Sequence, residues 1–570
     1  MTAPTSDPIG VSLVHGIALA EEAEIGALTL GGYLREVTSQ FGPNEAACMP
    51  CGEIMIRWSY RDLWEKSLAV AKTLLAAGVG SGTRVGVLIT NRLEFLSCVF
   101  GTALAGGVPV TLSTFSTKTE LKLLLEASAC SMLLIERRVL KKDFARMLID
   151  LEPAITDAAP GKLMSLAFPY LRTIAMVDDQ TSVGAINGWD AFLAHGDGVE
   201  SALVKAAMDN VHPSDPGILF FSSGSTGKPK GILSSHRGVC LQLWRWRTWL
   251  QVEDDVRCWS ANGFFWSGNF AMALGATLSS GGALVLQPSF QAEAALALME
   301  AERVTLLRAW PHQWAQLEAA PNWGKVNLSS LRYVDCESPI GRHPSVSTTW
   351  HDPNQAYGNT ETFTLITVSG VGTAEEKMGS GHGVPTAGST VKIVDPLSDH
   401  IVPRGERGEI AVKGPTLMLG YLGVPLDETL DGEGYLRTGD GGFIDDLGHL
   451  HWEGRLNDII KTGGANVSPV EIDGVVRKCP GVKLAQTVGI PDELLGELVV
   501  TCIVPHDGIP LDEAAVRSFA AQTLASYKVP RRVIFLSEED VTLTGSAKIK
   551  AGDLRNLASA RLADALERQA

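Results

Sequence analysis

Apolar and polar positions alternate in a strand-and-helix rhythm from Ile56 to Ile135. RDLWEKSLAVAKTLLAAGV repeats its apolar residues with a helical period, RVGVLI is a short buried run, FLSCVFGTALAGG is helical again, and VPVTL is a second short run. A second series spans Gly217 to Val334, where GILFF, ALVLQ, VTLLRA and LRYVD read as strands between helical segments such as AEAALALMEAER. Two parallel sheets with helices on their faces are predicted. After Gly379 the runs become short and are punctuated by Gly and Pro, as in VKIVD, GEIAVKG, GYLRTGD and GHLHWEG, which predicts a small antiparallel unit. The last hundred or so residues return to a mixed pattern, with a boundary near Gly454 to Asp458.

Length and charge narrow this picture. At roughly 150 residues per domain, a chain of 570 residues exceeds one small module. Lys and Arg total 48 against 64 Asp and Glu, a formal charge of −16. So acidic a chain has no long-range attraction for nucleic acid or anionic lipid, and an anionic ligand needs a local cluster of donors. The 9 cysteines are scattered in odd number, which fits a reducing compartment better than a disulfide framework. Cys48 and Cys51 form a lone C-x-x-C with no second pair, and no role is given to it. The N-terminus lacks a basic region followed by an apolar run, so a cytoplasmic protein is expected. The uncharged stretches Phe95 to Thr117 and Cys258 to Ala292 contain Gly, Asn and Pro, which suits buried helix, turn and strand rather than a membrane span.

The strongest chemical signal is FFSSGSTGKPKG, Phe220 to Gly231, directly after the apolar run GILFF. Gly224, Gly227 and Gly231 let backbone N–H groups turn inward, Ser222, Ser223, Ser225 and Thr226 add hydroxyls, and Lys228 and Lys230 add positive charge. This is a phosphate cradle. It is not a Walker A loop, because the G-x-x-x-x-G-K-[ST] spacing is absent and Pro229 follows Lys228.

With this loop the chain resembles the adenylate-forming superfamily of acyl-CoA synthetases, nonribosomal-peptide adenylation domains and beetle luciferases, over roughly residues 30 to 555. Tyr357-Gly358-Asn359-Thr360-Glu361 is similar to the family's Y-G-x-T-E. Tyr435 to Asp440 is similar to Y-x-T-G-D, Gly454 to Asp458 to G-R-x-x-D, and Thr544 to Lys550 to T-x-S-G-K-I. The resemblance implies that Ser222 to Lys230 hold the ATP phosphates. It implies Glu361 as the magnesium ligand, Thr360 as a donor to the α-phosphate and Tyr357 as a stacking surface for adenine. Asp440 and Arg455 would hold the ribose or its phosphate, with a structural ion pair between them as the plain alternative. Lys548 would stabilise charge on the attacked phosphorus. Asn457 would be a hinge, and Lys461, Gly463 and Gly464 would line the CoA site. The implied fold is α/β: a large N-terminal domain, residues 1–454, of two parallel-type subdomains plus a small β-barrel-like one, then a small mobile α+β domain, residues 455–570.

Four positions depart from the pattern. The hinge is Asn457 where Asp or Lys is usual. The small-residue loop against adenine reads Asp335-Cys336-Glu337-Ser338-Pro339, placing Glu337 beside the base. Ala547 precedes Lys548 where glycine is usual. Phe264-Phe265-Trp266-Ser267-Gly268 stands where many fatty-acid enzymes have an aromatic-His pair. Trp244, Trp246, Trp249, Phe264, Phe265, Trp266, Trp310 and Trp314 fall in the segments that build the family's acyl pocket. Of these, Phe265, Trp266 and Trp310, with Gly268, are taken as lining. The expected activity is ligation of a bulky apolar carboxylic acid to CoA through an acyl-adenylate, using ATP and magnesium, with domain alternation between half-reactions. Three alternatives stay open: an enzyme of the acyl-AMP to acyl-CoA step only, an enzyme loading a carrier protein, and an acyl-binding or transport protein with a vestigial site. A homodimer is left open as well.

Overall fold

The computed structural model describes residues 10–223, 229–353, 355–370, 381–458, 460–462, 465–492, 495–506, 508–524, 526–540 and 551–567. Helix starts follow local chemistry. Ser59 caps the helix Tyr60–Ala76 while Asp62 reaches back to the Ser59 N–H. Thr117 and Glu120 do the same for Lys118–Ser128. Each exchange satisfies two otherwise orphaned donors. The uncharged stretch beginning at Phe95 is helix Leu93–Leu104, nearly all of it buried, followed by buried strand Val108–Thr111. Among the described residues no helix is long and apolar enough to cross a membrane.

The short apolar runs build two largely parallel sheets. One has eight strands in the order Ile186–Gly188, Thr173–Met176, Met132–Ile135, Arg84–Leu88, Val108–Thr111, Pro216–Ser223, Pro229–Ser235 and Gly420–Tyr421. Its first six strands are parallel and the last two antiparallel. The other sheet runs Leu306–Arg308, Arg257–Ser260, Ala283–Val285, Glu45–Cys51 and Ile54–Ser59. One member of the second sequence series therefore joins the other sheet. GILFF joins the first sheet and Glu45–Cys51 the second, because a run apolar on both faces carries no mark of which sheet accepts it. LRYVD, expected as a strand, makes only an isolated bridge, Tyr333 to Leu306. Cys48 and Cys51 share one strand, and their odd spacing sends one thiol into the core and the other to solvent.

The chain divides into two compact units that do not follow chain order. The first comprises Gly16–Thr390 with Lys413–Gly432, and contains both parallel sheets. The second comprises the described residues of 5–15, Val391–Val412 and Glu433–Ala570. It holds the expected antiparallel sheet, in the order Leu13–His15, Thr390–Val394, Gly408–Lys413, Leu436–Ile444 and Leu450–Arg455. It also holds a C-terminal sheet centred on the long pair Val482–Asp492 and Gly496–Pro505.

Asp473, on the helix Pro469–Val476, is buried under that C-terminal sheet. One of its oxygens accepts the Thr487 N–H at 2.7 Å, and the Arg477 guanidinium stands 3.8 Å away. Burial outweighs both and pushes the carboxyl up from 3.8 to about 7. A carboxyl that holds its proton more tightly when folded stabilises the fold in its neutral form. Stability is full at acid pH and declines as pH rises between those two values. Asp473→Asn keeps the acceptor without the charge. It is expected to gain at most about 4 kcal/mol near pH 8 and to flatten the decline. Hydrogen exchange in the two long strands, corrected for intrinsic rate, measures this; parallel profiles for variant and parent would refute it.

Candidate active site

The two ends of the phosphate-cradle sequence lie on paired strands. Strands Pro216–Ser223 and Pro229–Ser235 pair antiparallel, with Ser222 opposite Lys230 and Ser223 opposite Pro229. The connecting residues Gly224, Ser225, Thr226, Gly227 and Lys228 lie outside the described residues, but the register fixes where that connection leaves and returns. On the far side of the hairpin the two-residue strand Gly420–Tyr421 pairs at Ile232 and Leu233. This places the Tyr421 ring beneath the Lys230 ammonium, 5.0 Å from nitrogen to ring centroid, a cation–π contact. The Tyr421 hydroxyl then donates to Glu361 Oε1 at 2.8 Å. One side chain thus joins the cradle to the Y-G-x-T-E motif. Tyr421 was not singled out in the sequence, since a tyrosine in a two-residue strand leaves no periodicity to find.

The motif itself is a rigid turn. Tyr357 is buried on the short strand Ala356–Tyr357. A Cβ on Gly358 would lie 1.7 Å from the Thr364 carbonyl oxygen, so only glycine lets the chain pass. The Asn359 side chain accepts the Thr362 N–H at 3.0 Å and the Thr362 hydroxyl accepts the Asn359 N–H at 3.1 Å, closing a 3-10 turn over Thr360–Thr362. Phe363 and Thr364 follow at φ +48° and +90°, two consecutive non-glycine residues in left-handed backbone. Such strain persists only where the surroundings enforce it. The turn presents the Thr360 hydroxyl without a partner among the described residues. It holds Glu361 by its backbone oxygen, which accepts the Met418 N–H at 2.7 Å, and by Oε1. Glu361 Oε2 has no hydrogen-bond partner among the described residues. A carboxylate with one oxygen anchored and one open suits a hard, oxygen-seeking cation such as magnesium.

The aromatic segment follows the strand Arg257–Ser260. Asn91 reaches across from the first sheet, donating to the Asn262 carbonyl at 2.7 Å and accepting the Phe264 N–H at 2.9 Å. Asn269 donates to the same Asn262 oxygen and accepts from the Ser260 hydroxyl. This buried network fixes Phe264 to Trp266. Phe265 is buried and meets Phe115 edge to face at 5.6 Å, with Trp266 at 5.3 Å on its other side. Phe115 is 56% exposed and Trp310 48% exposed, unusual for large rings. A Cβ at Gly268 would meet only Met272 sulfur, at 3.9 Å. Beyond it Phe270–Gly275 is wound as a π-helix, a form found mostly at functional sites. Trp244 and Trp246 belong to the core instead, donating to the Ala27 carbonyl and the Thr364 hydroxyl.

Glu337 is exposed, in a turn where its N–H donates to Asp335 at 2.9 Å. In the second unit Asp440 lies directly opposite Arg455 on paired strands. The Arg455 Nε is 3.1 Å from Asp440 Oδ1, and its Nη1 donates to the Thr438 carbonyl at 2.6 Å. The ion pair weighed from sequence is therefore present. Lys461 projects from the strand Ile460–Thr462 into solvent, with its N–H on Glu497 at 2.7 Å. Asn457 falls in the 3-10 turn Leu456–Asp458. Gly463, Gly464 and Lys548 lie outside the described residues.

Residues 36–422 match the AMP-binding enzyme family and residues 471–548 the AMP-binding enzyme C-terminal domain. The chain belongs to this family. A feruloyl-CoA synthase of Amycolatopsis sp is 31% identical over 504 residues, covering 87% of this chain and 93% of that one. An indoleacetate–CoA ligase of Aromatoleum aromaticum is 30% identical over 518 residues, covering 89% and 95%. Among solved structures, ATP-bound MatB from Rhodopseudomonas palustris superposes with a TM-score of 0.72 at 23% identity, over 93% of this chain and 99% of that one.

The chain is accordingly an acid–thiol ligase of the AMP-forming acyl-CoA synthetase type, with the α/β fold of adenylate-forming enzymes. In an AMP-binding enzyme the Y-G-x-T-E turn is useful only if its shape is fixed, and here Gly358 fixes it. Gly358→Ala is expected to cost about 3 kcal/mol or more, because the clash is with backbone that cannot swing aside. Thermal denaturation checks this. A melting temperature within a degree or so of the parent would show that the turn tolerates a side chain.

Proposed function

We propose that the protein activates a bulky, largely apolar ring-bearing carboxylic acid as its acyl-adenylate and transfers the acyl group to CoA, with ATP and magnesium as further requirements. The observation that carries this reading is the Lys230–Tyr421–Glu361 chain at the cradle's mouth. It supplies a cation and an open carboxylate oxygen for a triphosphate and its counter-ion. Magnesium held by Glu361 would neutralise phosphate charge. The Thr360 hydroxyl would donate to the α-phosphate, Ser222 to Lys230 would hold the remaining phosphates, and Tyr357 would face adenine. Asp440 and Arg455 would take the ribose. Lys548 would offset the negative charge that builds on phosphorus as the carboxylate attacks. The domain boundary is proposed at 454/455 with Asn457 as the pivot, exchanging Lys548 for Lys461, Gly463 and Gly464 once the adenylate has formed.

The substrate class rests on Phe115, Phe265 and Trp266, whose rings meet in series, with the exposed ring of Trp310 and the uncrowded Gly268. Flat rings suit rigid apolar bodies. The relatives named for feruloyl and indoleacetate substrates support an aromatic acid. The exposed position of Glu337 removes the desolvation cost that a buried carboxylate would bring to the adenine loop, which supports a complete rather than a half reaction.

Purified protein with ATP, magnesium, CoA and a panel of acids, read by mass spectrometry, tests the whole reading. Ring-bearing acyl-CoA products are expected; robust turnover of acetate or amino acids alone would overturn the substrate class. Lys548→Ala is expected to slow adenylate formation by about 10²-fold or more while sparing thioester formation from supplied acyl-adenylate. Equal loss in both halves would refute its role. Tyr421→Phe frees Glu361 Oε1, and is expected to raise the magnesium concentration for half-maximal rate by about 10-fold or more, the worth of one charged hydrogen bond. An unchanged magnesium dependence would show that Tyr421 only packs.

A further inference from the structure

The loop Asp335 to Pro339 departs from small residues in a particular way: it carries a thiol and a carboxylate in succession, and a histidine stands opposite them. Cys336, His351 and Asp335 offer ligand atoms that all lie within 4.8 Å of one another. His351 Nδ1 is 3.6 Å from Cys336 Sγ and 3.8 Å from Asp335 Oδ2. With zinc bond lengths of about 2.3 Å to sulfur and about 2.0 Å to nitrogen and oxygen, a tetrahedral site separates S from N by about 3.5 Å and N from O by about 3.4 Å. The histidine's separations from the thiol and the carboxylate are within a few tenths of an ångström of that spacing, and the thiol and carboxylate lie within 4.8 Å of each other.

We infer that Cys336, His351 and Asp335 form a binding site for a borderline-soft divalent cation of the zinc class, distinct from the magnesium reading at Glu361. Charge supports it: a thiolate, a carboxylate and a neutral imidazole balance a dication. Preorganisation supports it as well. Asp335 is oriented by two backbone donors, Glu337 N–H at 2.9 Å on Oδ1 and Asp352 N–H at 3.0 Å on Oδ2, which leaves a lone pair on each oxygen. Cys336 is tied to the histidine's own segment through its N–H on the Trp350 carbonyl at 3.0 Å. Arg308 holds the neighbouring Asp352 with two bonds of 2.9 and 3.0 Å. Outer partners of this kind orient ligands and tune metal affinity. The His351 side chain is 62% exposed, so a cation has a path in and the ring has room to turn.

A second cluster shows what a poor site looks like. Glu45, Cys48 and Glu302 are equally close, but Arg57 and Arg257 already ion-pair with both carboxylates, and burial with the two carboxylates pushes the Cys48 thiol up to about 12. A dication there would have to displace two guanidinium groups.

The site lies where the chain leaves the bridge at Tyr333, beside the strand Leu306–Arg308 that leads to Trp310. A bound cation cross-links residues 335–336 to residue 351, stiffening the loop that carries Glu337. Its existence does not depend on the ligase reading, so it is tested without nucleotide or acid. Chelator-treated full-length protein is titrated with Co²⁺. A thiolate-to-cobalt charge-transfer band is expected, saturating at one cobalt per chain, bleached by Zn²⁺ and indifferent to excess Mg²⁺. It should vanish in Cys336→Ser, need at least about 10-fold more cobalt in His351→Ala, and persist in Cys51→Ser, which removes an exposed thiol. Absence of the band in the parent, or its survival in Cys336→Ser, would overturn the proposal.

Discussion

The close approach of the Thr364 carbonyl to Gly358 is the constraint on which the chemistry of the larger unit depends. It forces the chain into a turn that Asn359 and Thr362 close with reciprocal hydrogen bonds, and it drives Phe363 and Thr364 into left-handed backbone. Two non-glycine residues in that region cost of order 1–3 kcal/mol each. What offsets the strain is burial: the Phe363 ring packs against Phe220 and Phe270, so the turn is bolted to the phosphate hairpin on one side and the aromatic segment on the other. Thr360 and Glu361 are therefore positioned by core packing rather than by their own contacts. Preorganised groups of this kind need no rearrangement when charge develops beside them.

The chain pattern showed which segments are strands and helices, and much less about who pairs with whom. Pro216–Ser223 and Glu45–Cys51 are apolar enough to be buried on both faces, and exchanging their sheets changes nothing in the local pattern. LRYVD reads as a strand for the same reason, yet Leu306 offers it only one bridge. The motifs were legible because their chemistry requires rare residue types in order. Tyr421 was not, since its role comes from a register between strands nearly two hundred residues apart. Trp244 and Trp246 have the size of pocket residues and are not taken as lining, and their indole N–H groups find partners inside the core. Phe115, which does face Phe265, sits in a loop with no periodicity to announce it.

An overall charge of −16 would repel a triphosphate at long range. Among the described residues several cations are held by carboxylates. Arg57 and Arg257 are consumed by Glu45 and Glu302, Arg308 by Asp352, and the buried Arg245 by Glu22. Among the described residues Lys230 meets the face of Tyr421, which attracts a cation without neutralising it. Its charge remains available to an anion at the hairpin mouth. A carboxylate in place of Tyr421 would hold the lysine more firmly and cancel it, so an aromatic residue is the better support here.

The aromatic segment poses the opposite problem, since large rings stay exposed beside it while its backbone keeps its shape. A loop of exposed rings would collapse on itself to remove apolar surface from water. Here the backbone beneath is tied down by polar groups that cannot follow. Asn91 spends both ends of its amide on Asn262 and Phe264, and Asn269 and Ser260 brace the same carbonyl. Collapse of Phe264 to Trp266 would strand these buried donors and acceptors, at about 1–3 kcal/mol for each group left unpaired. That penalty is of the same order as the gain from covering one ring. Phe265 and Trp266 therefore keep their places, and Phe115 stays exposed against the edge of Phe265.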